Sequence, residues 1–245
     1  GDAQRLLADA ADLLADATHC AAFSCALADA GDVIQGVQLI PAGGGRAMLV
    51  MLTAGGRIKS SICRLSCPAD DGFMAAFYDV MHSTFIGTRL SDVSIATVQS
   101  TAVTLGSRIF DMLPVLSSLC ALCAETRQDS LLFAGETNLL SHEELGNEVY
   151  KLLTFLTNRP RFLTLAKQFA DAPARSALFI GEENPYFELK NTATMLCSLH
   201  YNSQQRAVLG VIGSTRMDYA TIVPRAQYIM NKTTDLLAEG GITNG

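Results

Sequence analysis

Residues 206–237 read RAVLGVIGSTRMDYATIVPRAQYIMNKTTDLL, and this stretch decides the fold. It opens with the apolar run AVLGVI, which has the length expected for a buried strand. Gly213 ends the run, and the hydroxyl groups of Ser214 and Thr215 favour the start of a helix. Asp218 adds a negative charge in the predicted first turn, where the helix dipole stabilises it. Apolar residues then recur at steps of three and four, which predicts a helix with one apolar face.

Outward from this stretch, strand patterns lie on both sides of a long helical block. A first helix is predicted for residues 2–17. Short apolar or alternating runs bounded by turn residues predict six further strands, at residues 20–27, 33–40, 47–53, 57–64, 177–181 and 195–202. The four strands nearest the N-terminus follow one another through short turns, which demands antiparallel pairing.

A change of pattern at Pro68 and a linker ending near Ala174 bound the helical block. Within it, residues 141–144 read SHEE, a capping box that predicts a helix start, and residues 131–133 are a candidate short strand. The simplest architecture is α+β, in which an antiparallel sheet domain with helices is interrupted by a mainly helical insertion.

Composition limits the functions that this chain can have. Hydrophobic residues make up 49% of the sequence and charged residues 17%, which predicts a globular chain with some apolar surface covered by a partner. The net charge of −6 argues against direct DNA binding, because neutralising phosphates requires a basic face. No secretory signal and no apolar run of about 20 residues is present, so we expect a cytoplasmic protein without a membrane partner.

Residues that could carry chemistry form no recognisable catalytic or metal pattern. The seven cysteines are scattered through apolar segments and are expected to be buried small side chains rather than a disulfide framework. Cys120 and Cys123 form a C-x-x-C motif, but no second pair or close histidine accompanies them. The four histidines are isolated, and no G-x-S-x-G motif occurs. We therefore predict no catalytic residue, no metal, no cofactor and no enzymatic activity.

A family resemblance is carried by residues 210–224, GVIGSTRMDYATIVP. This segment resembles the C-terminal signature G-V-I-G-P-T-R-M-D-Y of the HrcA family of heat-inducible transcription repressors, with Ser214 in place of the proline. Three other segments are similar in the same order: VQLIPAGGGRAMLVMLTAGGRI at 37–58, LLFAGETNLLSHEEL at 131–145 and IGEENP at 180–185. The signature and structural residues that the resemblance singles out are Gly213, Thr215, Arg216, Met217, Asp218, Tyr219, Glu182 and Glu183.

The resemblance implies an organisation and a function. It implies a GAF-like domain formed by residues 1–67 and 175–245, interrupted by an inserted dimerisation domain at residues 68–174. It implies a homodimer that binds an inverted-repeat operator ahead of chaperone genes through an N-terminal winged-helix domain, to which nothing in this sequence corresponds. It also implies the chaperonin GroEL as a partner that helps keep the repressor folded. A GAF-type small-molecule sensor and an enzyme are the two alternative functions.

Specific roles follow for the singled-out residues. We predict that Asp218 begins the last helix and that Arg216 and Tyr219 fasten it to the sheet, with Arg216 paired to Glu182 or Glu183. For the dimer interface, we predict the third helix of the insertion, with Leu113, Leu116 and Leu119 as candidates, although these three residues could instead be internal core.

Overall fold

The computed structural model describes residues 2–142, 145–146, 148–201 and 205–242. Its architecture is α+β, as predicted. The helices are α1 (Asp2–Thr18), α2 (Asp71–Val80), α3 (Ile95–Leu105), α4 (Ile109–Thr126), α5 (Glu148–Thr157), α6 (Arg159–Ala170) and α7 (Tyr219–Ile242). The strands are β1 (Ala21–Leu27), β2 (Ile34–Gly43), β3 (Arg46–Thr53), β4 (Ile58–Arg64), β5 (Ser130–Ala134), β6 (Ser176–Ile180), β7 (Thr192–Tyr201) and β8 (Gln205–Ser214).

These elements fall into two compact units. The inserted unit is Ala28–Gln128, and the sheet unit comprises Asp2–Leu27 and Asp129–Gly245. The sheet unit is GAF-like: it is built on five antiparallel strands in the order β5-β1-β8-β7-β6. β1 is buried at every position and β8 at nearly every position, because helices cover both faces of the sheet. β8, from the stretch quoted first, is therefore the middle strand.

Two helical layers cover the sheet of the sheet unit. On one face, α1 and α7 contribute side chains such as Leu14 and Met230 to a continuous apolar cluster. On the other face, α5 and α6 enclose a second cluster that includes Phe23 and Phe162. Each such side chain contributes about 1.5–3 kcal/mol when it is fully buried, so these two layers account for much of the stability of this unit.

The inserted unit has its own sheet and core. β2, β3 and β4 form a three-stranded antiparallel sheet in that order. Residues alternate along β3, so that Ala47, Leu49 and Met51 point into a core shared with α2 and α4, while their neighbours point outward. A sheet that is covered on one face only explains this alternation.

The predicted boundaries at Pro68 and Ala174 do not coincide with these units. Pro68 lies inside the inserted unit, and Ala174 lies inside the sheet unit. The insertion leaves the sheet unit after Leu27 and returns at Asp129, because β1 and β5 are antiparallel neighbours. Consequently β2, β3 and β4 belong to the insertion, whereas α5 and α6 pack on the five-stranded sheet.

The predicted pairing of the N-terminal strands also differs from the structure. The N-terminal strands do not form one sheet, since β1 pairs with β5 and β8 rather than with β2. β1 is buried on both faces, as expected for an interior strand of a sheet that helices cover on both faces. β2 is exposed on one face and therefore belongs to a different kind of sheet. The predicted capping box at residues 141–144 includes Glu143 and Glu144, which lie outside the described residues; Ser141 ends a short 3-10 helix, Glu136–Ser141, and α5 begins at Glu148.

Within the described residues, one helical stretch, Gly106–Thr126, is long and apolar enough to cross a membrane by length and composition. It supplies Met112, Val115 and Leu122 to the core of the inserted unit, where they are almost completely buried. The apolar composition of this stretch therefore reflects its position as the central helix of that core.

Candidate functional site

The junction between β8 and α7, residues 213–219, contains six of the eight singled-out residues. A Cβ atom on Gly213 would lie 2.7 Å from Sγ of Cys20 and 3.2 Å from Sδ of Met217. The end of β8 therefore passes so close to the start of β1 that only glycine fits without displacement. Met217 is buried in the cluster beneath α1 and α7 and anchors the turn to that core.

The turn after Gly213 is held by hydrogen bonds to Ser214. The Met217 amide donates to the Ser214 carbonyl at 3.2 Å, and the Arg216 amide donates to Ser214 Oγ at 3.1 Å. Ser214 itself is the last residue of β8. The helix therefore does not start at Ser214 or Thr215, although the hydroxyl groups of these residues favour a helix start in the sequence. The serine hydroxyl holds this turn where the family pattern has a proline.

Asp218 begins α7, as predicted. Its Oδ1 accepts the Thr221 amide at 3.3 Å, and its carbonyl accepts the Ile222 amide at 2.8 Å, which is the geometry of an N-cap. The hydrogen bond from the Thr221 side chain, with further bonds from the backbone amides of Thr221 and Ala220, lowers the pKa of the Asp218 carboxyl.

Asp218→Ala is expected to lower the melting temperature at neutral pH, because it leaves the first amides of α7 without an acceptor. Since the folded-state pKa lies below the ordinary value of an aspartate, the charge of the carboxylate stabilises the fold fully above that ordinary pKa, and this contribution disappears as the pH falls through the folded pKa. Thermal unfolding of both proteins from pH 7 to pH 3 would therefore show a difference that shrinks on acidification. A constant difference would contradict the contribution of the carboxylate charge, and Asp218→Asn is the control that keeps a neutral acceptor.

Tyr219 folds back over the same turn. Its hydroxyl donates to the Thr215 carbonyl at 2.7 Å, which fixes the first residue of α7 to the end of the turn. Burial raises the pKa of the Tyr219 hydroxyl, and the nearby Glu183 carboxylate raises it further. Tyr219 therefore stays protonated and acts as a hydrogen-bond donor.

Glu182 and Glu183 are engaged within their own loop and do not pair with Arg216. Glu182 pairs with Lys190 at 2.5 Å, and Glu183 accepts the Ile180 amide at 2.8 Å. Arg216 is exposed and takes part in none of the ion pairs found among the described residues. The predicted pair between Arg216 and a glutamate is therefore wrong, because each glutamate already has a closer donor.

Asn184, which pattern reasoning did not single out, organises this loop. It is 4% exposed, and its Nδ2 donates to the carbonyls of Gly181 and Thr192, each at 3.0 Å. These bonds close the segment between β6 and β7. The only sequence signal for it is the family-like IGEENP segment, since one buried asparagine gives no periodic pattern.

The candidate interface residues on α4 divide into two groups. Leu116 and Leu119 are 1% and 0% exposed and belong to the core of the inserted unit. Leu113 is 38% exposed and lies on the outer side of the helix. Leu116 and Leu119 therefore follow the alternative interpretation, that of internal core, and only Leu113 is on the surface.

The cysteines are not arranged for chemistry. All seven are free thiols, five of them buried. Burial raises the pKa of the thiols of Cys25 and Cys123 to about 12, so both stay protonated at neutral pH. Among the described residues, no three His, Cys, Asp or Glu side chains converge in the way that a metal ion requires.

Each unit carries an open groove on its surface. The groove of the inserted unit, about 240 Å³, lies beside Cys67, Asp70 and Arg108. The groove of the sheet unit, about 380 Å³, is lined by Tyr150, Phe187 and Arg161, among others. In the latter, Arg161 stacks on aromatic rings and pairs with Glu188 at 2.5 Å, so the chain supplies its own cation to this aromatic site.

The fold and the junction define a class of protein: a GAF-like α+β domain with an insertion that has its own core, whose distinguishing residues hold a strand, a turn and a helix together. The family described as "HrcA protein C terminal domain" matches residues 4–223 of this chain. The chain belongs to the HrcA family.

Similar proteins support the same assignment. A protein from Methylobacillus flagellatus is 25% identical over 242 residues, covering 97% of this chain and 69% of the relative. Proteins from Acetivibrio thermocellus and Desulforudis audaxviator are 20% and 26% identical, covering 82% and 84% of this chain. All three are described as "Heat-inducible transcription repressor HrcA". The chain spans 58%, 69% and 60% of the lengths of the Acetivibrio, Methylobacillus and Desulforudis proteins, respectively.

One solved structure shares the fold. A crystal structure titled as that of a hypothetical protein superposes with a TM-score of 0.68 at 19% identity, covering 97% of this chain and 68% of that one. At this level of identity, the similarity concerns the fold alone.

Proposed function

We propose that this chain is the regulatory and dimerising part of a heat-inducible transcription repressor of the cytoplasm. The observation that carries the proposal is the family match over residues 4–223, together with the name that its relatives share. The chain then has no catalytic task, and its surfaces serve assembly. Its targets are chaperone operons, and the chaperonin GroEL assists its folding, as the family resemblance implies.

In this proposal, the chain does not hold DNA by itself. Its net charge is −6, and proteins that bind DNA through phosphate contacts need a concentrated basic surface. A winged-helix domain attached to this chain supplies that surface. An inverted-repeat operator presents two half-sites related by a two-fold axis, so the function requires a two-fold dimer that spaces two such domains.

The inserted unit offers a surface for that dimer, which we name the open face. It is the apolar part of the outer side of the three-stranded sheet, and its residues are Ile40, Met48, Val50, Leu52, Ile58 and Ile62. Met48 lies opposite both Ile40 and Ile62 in register, so three apolar side chains form a continuous row across the strands. Ile58 and Ile62 are 59% and 74% exposed, and apolar residues grouped in this way typically mark a protein interface.

A titration of inverted-repeat operator DNA tests the proposal. The chain alone is expected to show no specific binding, whereas the chain joined to the winged-helix domain of a relative is expected to bind. Ile62→Glu in the joined protein should weaken operator binding by about tenfold or more, because it places charges in the interface and separates the two half-site readers. Fluorescence anisotropy at fixed moderate salt measures the affinity, and light scattering measures the mass.

The matched control is Leu13→Glu, which changes an exposed leucine on α1, in the sheet unit, in the same way. It should leave both mass and operator affinity unchanged. Salt-sensitive, submicromolar operator binding by the chain alone would contradict the proposal, as would a joined protein that stays monomeric at tens of micromolar and still binds the full operator.

A further inference from the structure

The groove of the sheet unit brings together two exposed aromatic side chains from separate elements. Tyr150 lies on α5 and Phe187 in the segment between β6 and β7, and these side chains are 77% and 67% exposed. Both line the same groove of about 380 Å³. Single exposed apolar residues are common on protein surfaces, whereas aromatic residues that converge on one groove are typical of a binding site.

This groove is built on a preformed framework. Phe155, which is buried, lines it, and the guanidinium of Arg161 lies 5.5 Å from the centre of the Phe155 ring. The same guanidinium lies 5.3 Å from the centre of the Tyr186 ring and donates to Oε1 of Glu188 at 2.5 Å. Three contacts therefore hold Arg161 in place, and a ligand meets a surface that needs little rearrangement.

The charged side chains in and around the groove already have partners. The ion pairs are Arg161 with Glu188, Lys151 with Glu148, and Lys190 with Glu182. Lys190 also lies 5.7 Å from the centre of the Phe187 ring. Because each of these cations is matched by a carboxylate, a ligand that binds through a strong charge of its own, such as a phosphate or a polyamine, gains little here.

The groups that have spare hydrogen-bonding capacity are mainly donors. Oδ1 of Asn158 accepts the Arg161 amide at 3.4 Å, while Nδ2 of Asn158 and the Tyr150 hydroxyl have no partner among the described residues. Arg161 uses Nη1 for Glu188, which leaves its other N–H groups available. Oε2 of Glu188, by contrast, is buried and out of reach of a ligand. The groove therefore suits a ligand that is rich in acceptors and poor in donors.

A proline-rich segment has this chemistry. Proline carries a carbonyl acceptor but no N–H group, so its burial leaves no donor without a partner. Its ring packs against aromatic side chains, and the polyproline II conformation forms before binding, so that little conformational entropy is lost. An ordinary extended peptide brings an N–H group with every residue, for which this groove has few free acceptors.

We propose that this groove is a docking site for a proline-rich, extended segment of a partner protein. The proline rings pack on Tyr150 and Phe187, and the carbonyl groups of the segment accept hydrogen bonds from Asn158 and Arg161. The proposal goes beyond the proposed function and does not depend on it, because the groove lies within the sheet unit and the open face within the inserted unit.

The probe that tests the site is a fluorescently labelled decaproline peptide, titrated with the whole chain and followed by anisotropy. We expect saturable binding of this peptide and none of a glycine–serine peptide of equal length, which has an N–H group at every residue and no rings. Tyr150→Ala and Phe187→Ala should each weaken binding about tenfold, because each removes an aromatic contact. The matched control is Tyr228→Ala, which removes a tyrosine of the same unit that is 65% exposed but does not line the groove.

Asn158→Asp tests the hydrogen-bond argument. Oδ1 of Asn158 caps α6, and an aspartate keeps this cap while it replaces the Nδ2 donor with an acceptor. Decaproline should therefore bind this variant severalfold more weakly, although circular dichroism shows an unchanged fold.

Several results would overturn the inference. They are an absence of saturable decaproline binding, full affinity in Tyr150→Ala and Phe187→Ala, full affinity in Asn158→Asp, and equal binding of the glycine–serine peptide. Saturable binding of adenosine but not of decaproline would show that the groove holds a planar heterocycle, and would also overturn it. The groove variants are expected to keep the mass of the unsubstituted chain and, in the joined protein, its operator affinity. A failure here therefore leaves the proposed function standing.

Discussion

Leu116→Glu is expected to unfold the inserted unit, with a loss of stability of about 4 kcal/mol or more. Leu116 is 1% exposed and packs in the core between α4 and the three-stranded sheet. A glutamate there would bury a carboxylate with no cation among its apolar neighbours, and a buried unpaired charge is among the most destabilising single changes.

The matched control lies one turn earlier on the same helix. Leu113 is 38% exposed, so Leu113→Glu should change stability by about 0.5 kcal/mol or less. Circular dichroism during urea unfolding, combined with light scattering, separates the two explanations for Leu116. A folded, monomeric Leu116→Glu protein would show that this residue lies at an interface, in conflict with the core position described above.

The sequence predicts the β8–α7 junction well because its signals are local. The apolar run, the glycine and the acidic residue before the helix act within about ten residues of one another. Of the two start signals in the sequence, Asp218 is the N-cap, whereas Ser214 ends β8. The geometry of the turn determines which residue is the N-cap, because serine and aspartate are both favoured at the N-cap position.

The division into units is harder to predict because it depends on long-range pairing. β1 lies between β5 and β8, its partners from residues 130–134 and 205–214. No local pattern in residues 20–27 identifies either partner. Strands that follow one another closely usually pair, so β1 was expected beside β2, whereas the burial of both faces of β1 fits an interior position in the five-stranded sheet.

The partners in an ion pair are likewise difficult to predict from the sequence, even when both residues lie near turns. Arg216 and Glu182 both lie near sheet ends, which makes an ion pair plausible from the pattern alone. In the structure, Lys190, eight residues from Glu182, reaches that carboxylate first. A pair of this kind depends on the path of the loop, which Asn184 fixes from within through hydrogen bonds that no periodicity reveals.

Gly210→Ala is expected to destabilise the sheet unit by about 3 kcal/mol. Gly210 lies at the centre of β8, where it is opposite both Phe23 and Leu196. An added Cβ would lie 2.2 Å from Cε1 and 2.3 Å from Cζ of Phe23, and 2.9 Å from Cδ2 of Leu196. These distances are far below contact distance, so either the ring or the strand must move.

Phe23 has little room to move. It is 1% exposed, and its ring packs edge-on against Phe162, 4.7 Å between centroids, and at a tilt against Phe133, 6.1 Å between centroids. The strain therefore spreads into α6 and β5 instead of being absorbed by one rotamer change. Gly210 is thus required for packing: the AVLGVI run needs a glycine to admit a phenylalanine from the neighbouring strand.

A double-mutant cycle measures this coupling. Phe23→Leu removes the ring atoms that meet the new Cβ, so the loss for Gly210→Ala should be smaller in the Phe23→Leu background by about 1 kcal/mol or more. The control is Gly36→Ala in β2, where a Cβ meets nothing within 4 Å and the stability should change little. Urea unfolding gives the free energies, and hydrogen exchange of β8 amides assigns the loss to the sheet unit. Additive effects in the cycle would show that Gly210 serves some purpose other than making room for Phe23.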